Sequence, residues 1–310
     1  MKVVITGIAG FISFHTANRF VDEGHEVVGF DNFNDYYDPA LKEKRAMLLE
    51  ERGIKVYKRD LRDVEEMHSF FEKHNPDLVI HLAAMANPRH GMDNPEMYLD
   101  NNCHGTINII RAMEKIGTKN VIYASTSCVM HGNPLPWREF EQLAPQINPY
   151  GYTKKVTEEM FHISKIPNAV GLRFFTVYGP WGRPDMALFS FTKNILDEEP
   201  ITLYNYGNME RDFTYVDDIV QGIWLVSNNM TERDMYNIGR GEPVQLMDFV
   251  DAIEESTGKK AIRKYGPHHP ADALATWSDT TKLQKLGYDP KTSIREGIDK
   301  FVQWYRSYHN

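Results

Sequence analysis

The first thirteen residues constrain the fold most. Val3-Val4-Ile5-Thr6 is a run of β-branched residues, which suits a strand buried on both faces, and Phe11 to Val21 has the spacing of a helix. Only Gly7-Ile8-Ala9-Gly10 separates them, so the strand must run almost directly into the helix. Glycines at Gly7 and Gly10 let the chain turn tightly. They also let the N–H groups at Phe11 and Ile12 approach a diphosphate at the positive end of the helix. A glycine pair alone is a weak signal; its place between strand and helix gives it weight. Ser13 stands where a third glycine would serve close helix–strand packing, and it is small enough to keep most of that packing.

The same rhythm continues. Further strands are predicted at Glu26 to Phe30, Ile54 to Tyr57, Leu78 to Leu82, Val121 to Ala124 and Ala169 to Phe175, with helical patterns between them, notably Pro95 to Ile116 and Tyr150 to Ser164. Alternation of this kind specifies an α/β chain with a Rossmann-type doubly wound parallel sheet. After about Pro180 the segments shorten and Pro and Gly recur, with helices predicted at Val216 to Val226, Leu246 to Ser256 and Ile294 to Ser307. The expected division is therefore 1–180 as a dinucleotide-binding domain. Residues 181–310 should form mainly a smaller C-terminal α/β substrate-binding region, with segments free to interleave.

Asp31 closes the second strand about twenty residues beyond the glycines, where a carboxylate can accept both hydroxyls of an adenosine ribose. It would repel a 2′-phosphate, and Asn32 rather than Arg follows it, which favours NAD over NADP. Asp60-Leu61 and Leu82-Ala83-Ala84 follow the third and fourth strands, at the sheet edge where such folds bind ligands.

Bulk properties exclude several classes. With 310 residues, 42% hydrophobic and 25% charged, the chain has the composition of a globular protein rather than a disordered one. A net charge of -8 argues against a nucleic-acid binder. The two cysteines, Cys103 and Cys128, exclude a disulfide framework and suit a reducing cytoplasm. Neither a leader peptide nor a membrane span is expected, since no apolar run approaches about 20 residues. No metal site is expected either: His268-His269 lies among prolines, and no metal-binding helix motif is present.

Tyr150-Gly151-Tyr152-Thr153-Lys154 begins a helix just after Pro149. Residues four apart share a helical face, so the Tyr150 phenol and the Lys154 ammonium point together. A cation there is expected to lower the tyrosine pKa and make it a general base for a hydroxyl proton. Ser125-Thr126-Ser127 ends the fifth strand and brings hydroxyls to the same edge of the sheet.

These motifs together resemble the extended short-chain dehydrogenase/reductase superfamily, and within it the nucleotide-sugar 4-epimerases. The likeness runs nearly end to end. It rests on Thr6 to Ile12, Asp31-Asn32, His81 to Ala84, Asn101, Ser125 to Ser127, Pro149 to Lys154, Arg173 to Pro180, Arg211 to Asp218 and the Asp272 segment. Asp31 to Pro39 and Arg173 to Ala187 are most similar to UDP-glucuronate 4-epimerases. Sugar 4,6-dehydratases place an Asp-Glu pair, and decarboxylases a Glu, where this chain has Ser127 and Cys128. Two departures stand out. Val129-Met130-His131-Gly132 is one residue longer than the family's turn, and Met85-Ala86-Asn87-Pro88-Arg89 replaces the family's Gln-Ala-Gly-Val-Arg.

The resemblance implies an enzyme that inverts C4 of a UDP-sugar through a transient 4-keto sugar. UDP-glucuronate is its first candidate substrate, with UDP-glucose or UDP-N-acetylglucosamine epimerisation, dehydration, reduction or non-catalytic nucleotide binding as alternatives. It assigns catalysis to Tyr150 and Lys154 with Thr126 or Ser127 as relay, Thr126 being favoured. NAD is assigned to Gly7, Gly10, Phe11, Ile12, Asp31, Asn32, Asp60, Leu61, Leu82, Ala83, Ala84, Asn101, Ser125, Tyr150 and Lys154. Arg211 is matched to the diphosphate, the backbone of Met186-Ala187-Leu188 to the base and Asp272 to the ribose, and Thr176, Ser127, Arg183 or Arg89 are candidates for a sugar carboxylate. It also implies a homodimer paired through the helical segments Pro95–Ile116 and Tyr150–Ser164.

Overall fold

A computed structural model describes residues 1–309. Strand β1 (Lys2–Thr6) leads through the glycine turn into α1 (Phe11–Asp22), followed by β2 (Glu26–Asp31), α2 (Pro39–Glu51), β3 (Lys55–Lys58), α3 (Val64–His74) and β4 (Leu78–His81). A short α4 (Pro88–Asp93), a one-turn α5 (Pro95–Tyr98) and α6 (Gly105–Ile116) come next, then β5 (Asn120–Thr126), α7 (Pro149–Ile163) and β6 (Asn168–Phe174). The remainder comprises β7 (Thr176–Tyr178), α8 (Ala187–Leu196), β8 (Pro200–Leu203), β9 (Glu210–Tyr215), α9 (Val216–Asn228) and β10 (Arg233–Ile238), then β11 (Pro243–Gln245), α10 (Leu246–Thr257), β12 (Ile262–Tyr265), α11 (Thr281–Gln284) and α12 (Ile294–His309).

The main sheet has seven strands in the order β10-β6-β5-β4-β1-β2-β3, every pair parallel. Its β-branched runs are buried because both faces are covered: Val3 and Ile5 of β1 join one apolar core, and Val4 joins the other. Leu78 and Ile80 of β4 divide from Val79 in the same way. Strand order reverses between β1 and β4, and a doubly wound sheet opens its ligand crevice at the carboxyl ends of those strands. The seventh strand, β10, comes from the C-terminal half and pairs with β6, while α9 packs against α1. The later segments thus add to the main sheet as well as forming a three-stranded sheet, β11-β9-β7, and a two-stranded one, β12-β8.

Pro95 to Ile116 is not one uninterrupted α-helix. Between α5 and α6 the chain makes a wider π-turn over Leu99–His104. This turn sets the Asn102 amide against the loop after β4: it accepts from the Met85 N–H (2.8 Å) and donates to the Met85 carbonyl (2.9 Å) and to Thr153 Oγ1 (2.9 Å). Such turns recur at functional sites.

One buried cation ties the glycine turn to the chain beyond β7. Arg45 of α2 has no exposed surface; its Nη1 donates to the Ala9 carbonyl and the Tyr37 hydroxyl (2.9 Å each), and its Nη2 to the Trp181 carbonyl (2.6 Å). Replacing Arg45 with Met would leave two buried carbonyls without a donor. Chemical denaturation should show a loss of about 2–4 kcal/mol, and unchanged stability would remove this cross-brace from the account.

Candidate active site

One cleft runs across the carboxyl ends of β1, β2, β4, β5 and β6 and is lined by residues from both halves of the chain. At its floor Gly7 adopts φ +65°, and a Cβ there would lie 2.9 Å from the Ala83 Cα, closer than real side chains come. The turn and the Leu82-Ala83-Ala84 segment are therefore packed backbone to backbone. A buried relay holds them. Thr6 Oγ1 accepts from the Ala83 N–H (3.1 Å) and donates to His81 Nδ1 (2.8 Å), whose Nε2 donates to Thr106 Oγ1 (3.1 Å). Burial lowers the His81 pKa to about 3, so the ring is neutral and can pass hydrogen bonds in this single sense. Gly10 begins α1 with no side chain capping it, so the amides of Phe11 and Ile12 face the cleft as a dinucleotide cradle requires.

Asp31 lies at the end of β2, buried and lining the cleft, with Oδ1 accepting from the Phe33 N–H (2.9 Å); burial raises its carboxyl above the usual range. Asn32 lines the cleft beside it and donates to Asp60 Oδ2 (3.2 Å). Asp60 itself is not among the residues lining the cleft: Arg62 grips its carboxylate (3.0 and 2.7 Å), and it meets the lining through Asn32. Leu61 and Asn101 do line it. Lys42 was not anticipated. It is 5% exposed, lines the cleft near Asp31, and donates to the Asn34 carbonyl and side chain (2.8 Å each).

The catalytic candidates converge. Asn148 caps α7 by accepting from the Gly151 N–H (2.8 Å), which fixes the first helical turn carrying Tyr150. Tyr150 lines the cleft together with Thr126, whose hydroxyl accepts from the Cys128 N–H (3.2 Å). Lys154 is 2% exposed and donates to the Ala124 carbonyl of β5 (2.9 Å). The two share a face, as the spacing predicts, but the expected depression of the phenol does not occur in the protein alone. Burial outweighs every favourable charge and pushes Tyr150 well above the usual tyrosine range. Burial likewise lowers Lys154 to about 8, against smaller opposing effects of Cys103 and Glu158.

Glu158 is a further residue that the sequence did not single out, and Arg173 stood there only as the start of a matching segment. Arg173 Nε and Nη2 donate to the two oxygens of Glu158 (2.9 Å each), and the Ser125 hydroxyl donates to the same carboxylate. Only the register of α7, where Glu158 follows Lys154 by one turn, hints at this pair.

The opposite wall carries the substrate candidates. Thr176, Ser127, Arg183, Met186, Arg211 and Asp272 line the cleft. Arg89 does not: its guanidinium stacks 3.8 Å over the Tyr204 ring and grips Asp272 (2.6 and 3.4 Å) from behind. Ala187 and Leu188 also stand off the main cleft, with Leu188 in the apolar core. Cys128 and His131 line it, both unselected from sequence, and burial raises the Cys128 thiol. The His268-His269 pair is committed elsewhere: His268 Nε2 donates to the Asp272 carbonyl (3.0 Å), and His269 Nδ1 accepts from the Ala271 N–H (3.1 Å).

Comparison with known proteins agrees with this architecture. A model of the NAD dependent epimerase/dehydratase family matches residues 3–239. The chain is 39% identical to protein CapI of Staphylococcus aureus, over 100% of this chain and 99% of that one. It is 38% identical to the UDP-glucuronate 4-epimerase of Thermodesulfobacterium geofontis, over 97% and 95% of the two chains. Among solved structures, UDP-glucuronic acid 4-epimerase from Bacillus cereus, in complex with UDP-glucuronic acid and NAD, superposes with a TM-score of 0.93 at 30% identity, covering 99% of this chain and 100% of that one. The chain belongs to the NAD-dependent epimerase/dehydratase family.

Proposed function

We propose that this protein is an NAD-dependent epimerase that inverts C4 of a UDP-sugar, converting UDP-glucuronate to UDP-galacturonate. The observation that carries the reading is the convergence of Tyr150, Thr126 and Lys154 at the floor of a cleft whose other end has the glycine cradle and Asp31. The relatives named for that reaction support it. So does the absence of an acid at Ser127 and Cys128, since elimination or decarboxylation calls for one there.

The residues present fit NAD. Gly7 leaves room that any Cβ would close, the uncapped first amides of α1 would hold the diphosphate, and Asp31, which lines the cleft, would accept the adenosine ribose hydroxyls. When bound, NAD supplies the hydride acceptor and donor, together with a positive ring that favours a nearby phenolate. The protons are this chain's task. Tyr150 takes the C4 hydroxyl proton and later returns it, with Thr126 orienting the oxygen and Lys154 balancing the phenolate charge. Glu158, clamped by Arg173, supports the ammonium form of Lys154 in a site that burial disfavours.

On the substrate side, Arg211 is placed for the diphosphate, Met186 for the base and Asp272 for the uridine ribose. Ser127, Thr176 and Arg183, which line the cleft, would receive the C6 end of the sugar. Arg89 holds Asp272 from behind, and Asp60 holds Asn32 at the cofactor end. The reading includes a homodimer paired through α5, its π-turn and α7, where Met97, Leu99 and Tyr152 leave apolar surface exposed. It also includes a cytoplasmic setting, which the free thiols of Cys103 and Cys128 suit. No helix among the described residues is long and apolar enough to cross a membrane.

Four outcomes are expected. Purified protein incubated with UDP-glucuronate should yield UDP-galacturonate without net NADH, and Tyr150→Phe should cut kcat by at least about 10³-fold while NAD stays bound. A 4-keto-6-deoxy product, or full activity in the variant, would overturn the reading. Because the charged form of Lys154 is required and its pKa is about 8, kcat should fall as pH rises through that value. A rate that climbs through that range instead would contradict the role given to the ammonium. Sedimentation should show a dimer that Tyr152→Asp dissociates; a monomeric wild type would remove the proposed interface.

A further inference from the structure

The loop after β4, Met85-Ala86-Asn87-Pro88-Arg89, departs from the pattern its neighbours resemble, and Asn87 uses its side chain fully. Its Oδ1 caps α4 by accepting from the Arg89 and His90 N–H groups (3.0 and 3.2 Å). Its Nδ2 reaches the other way, donating to the Tyr36 hydroxyl (2.7 Å) and to Asp185 Oδ2 (3.0 Å). Tyr36 donates to that same Asp185 oxygen (2.9 Å). Arg183 completes the cluster: Nε and Nη2 donate to the two oxygens of Asp185 (3.0 and 2.6 Å), and Nη1 donates to the Ala86 carbonyl (2.9 Å).

The side chains of Arg183 and Asp185 are only 18% and 22% exposed, so this charge balance is set inside the protein rather than by solvent. Arg183 has five N–H donors, of which Asp185 and Ala86 engage three, leaving two for a ligand in the cleft. Asp185 would otherwise cancel the Arg183 charge alone. Two extra donors, Tyr36 and Asn87, now share its negative charge and fix its rotamer. The loop is also indexed to the catalytic tyrosine. Tyr98 accepts from the Asn87 N–H (3.1 Å) and donates to the Asn87 carbonyl (2.8 Å), and its ring stands edge-on to Tyr150 with centroids 6.4 Å apart.

We propose that Asn87 is a positioning residue that sets the preference of this site for a sugar bearing a C6 carboxylate. By holding Asp185 and Tyr36 together, it keeps Arg183 oriented with free donors toward that carboxylate. The inference rests on the UDP-sugar reading above. It adds a residue that touches neither substrate nor cofactor but decides which C6 group the arginine rewards. A hydroxymethyl group carries no charge for Arg183 to recognise, so its binding should depend little on Asn87.

Two substitutions separate this role from simple helix capping. Asn87→Ser keeps a capping oxygen for α4, but its side chain is too short to carry a donor to Asp185 in place of Nδ2. Asn87→Asp also caps, yet turns a carboxylate toward Asp185. For wild type and both variants, kcat/KM is measured with UDP-glucuronate and with UDP-glucose, alongside NAD content and thermal melting. The expected result is a fall in the glucuronate-to-glucose ratio of about tenfold for Asn87→Ser and more for Asn87→Asp, carried by KM, with kcat within about threefold and NAD content unchanged. An unchanged ratio in both variants overturns the proposal. If the wild type turns over neither sugar, the functional reading fails on its own. Asn87 is then judged by the ratio of the Kd values for the same two ligands in titration of the NAD-loaded protein, where the same tenfold fall is expected and an unchanged ratio again refutes it.

Discussion

The catalytic face of α7 is held in place by one buried ion pair. Tyr150, Lys154 and Glu158 follow one another at single-turn spacing, and Glu158 is locked bidentately to Arg173 of β6. Arg173 stands directly opposite Ser125 in the β5–β6 register, and Ser125 donates to the same carboxylate. Helix and strands are thereby aligned where β5 ends at Thr126, which lines the cleft together with Tyr150. A pair with side chains 5% and 10% exposed gains little net stability over an apolar substitute, but losing one partner strands a charge in the interior. Its value lies in fixing the register of the chemistry.

Burial is the opposing constraint. The same packing that shields the site from water pushes the Tyr150 phenol up and the Lys154 ammonium down. In the protein alone, both groups favour their neutral forms more than free side chains do. Glu158 partly offsets this for Lys154, and Thr126 and Arg183 do so for Tyr150. The site is therefore arranged so that a positive charge arriving with a ligand shifts the balance toward phenolate.

Strands buried on both faces announce themselves as β-branched runs, so β1, β2, β4, β5 and β6 were legible from residues alone. So were the glycine turn, Asp31 and the Tyr150–Lys154 face. Strand β10 was not: it is an edge strand reading Arg-Asp-Met-Tyr-Asn-Ile, with only its last three residues buried, and it carries no apolar run. Buried cations are equally silent, because Lys42 and Arg45 look in sequence like any exposed residues of a charged helix. Spacing placed Lys154 beside Tyr150 but could not weigh the cation against desolvation. Motif likeness gave the neighbourhoods of Arg89, Ala187 and Leu188 without their orientation. Arg89 is turned onto Tyr204 and Asp272 rather than into the cleft, since side-chain direction depends on packing partners distant in sequence.

The central claim is that a hydride leaves C4 and returns to it within one closed site, with Tyr150 handling the proton. Epimerisation of UDP-glucuronate deuterated at C4, run in ordinary water with unlabelled free NAD, tests this most directly. The account predicts UDP-galacturonate that keeps its deuterium at C4. Label lost to water, or found in released NADH, would contradict it.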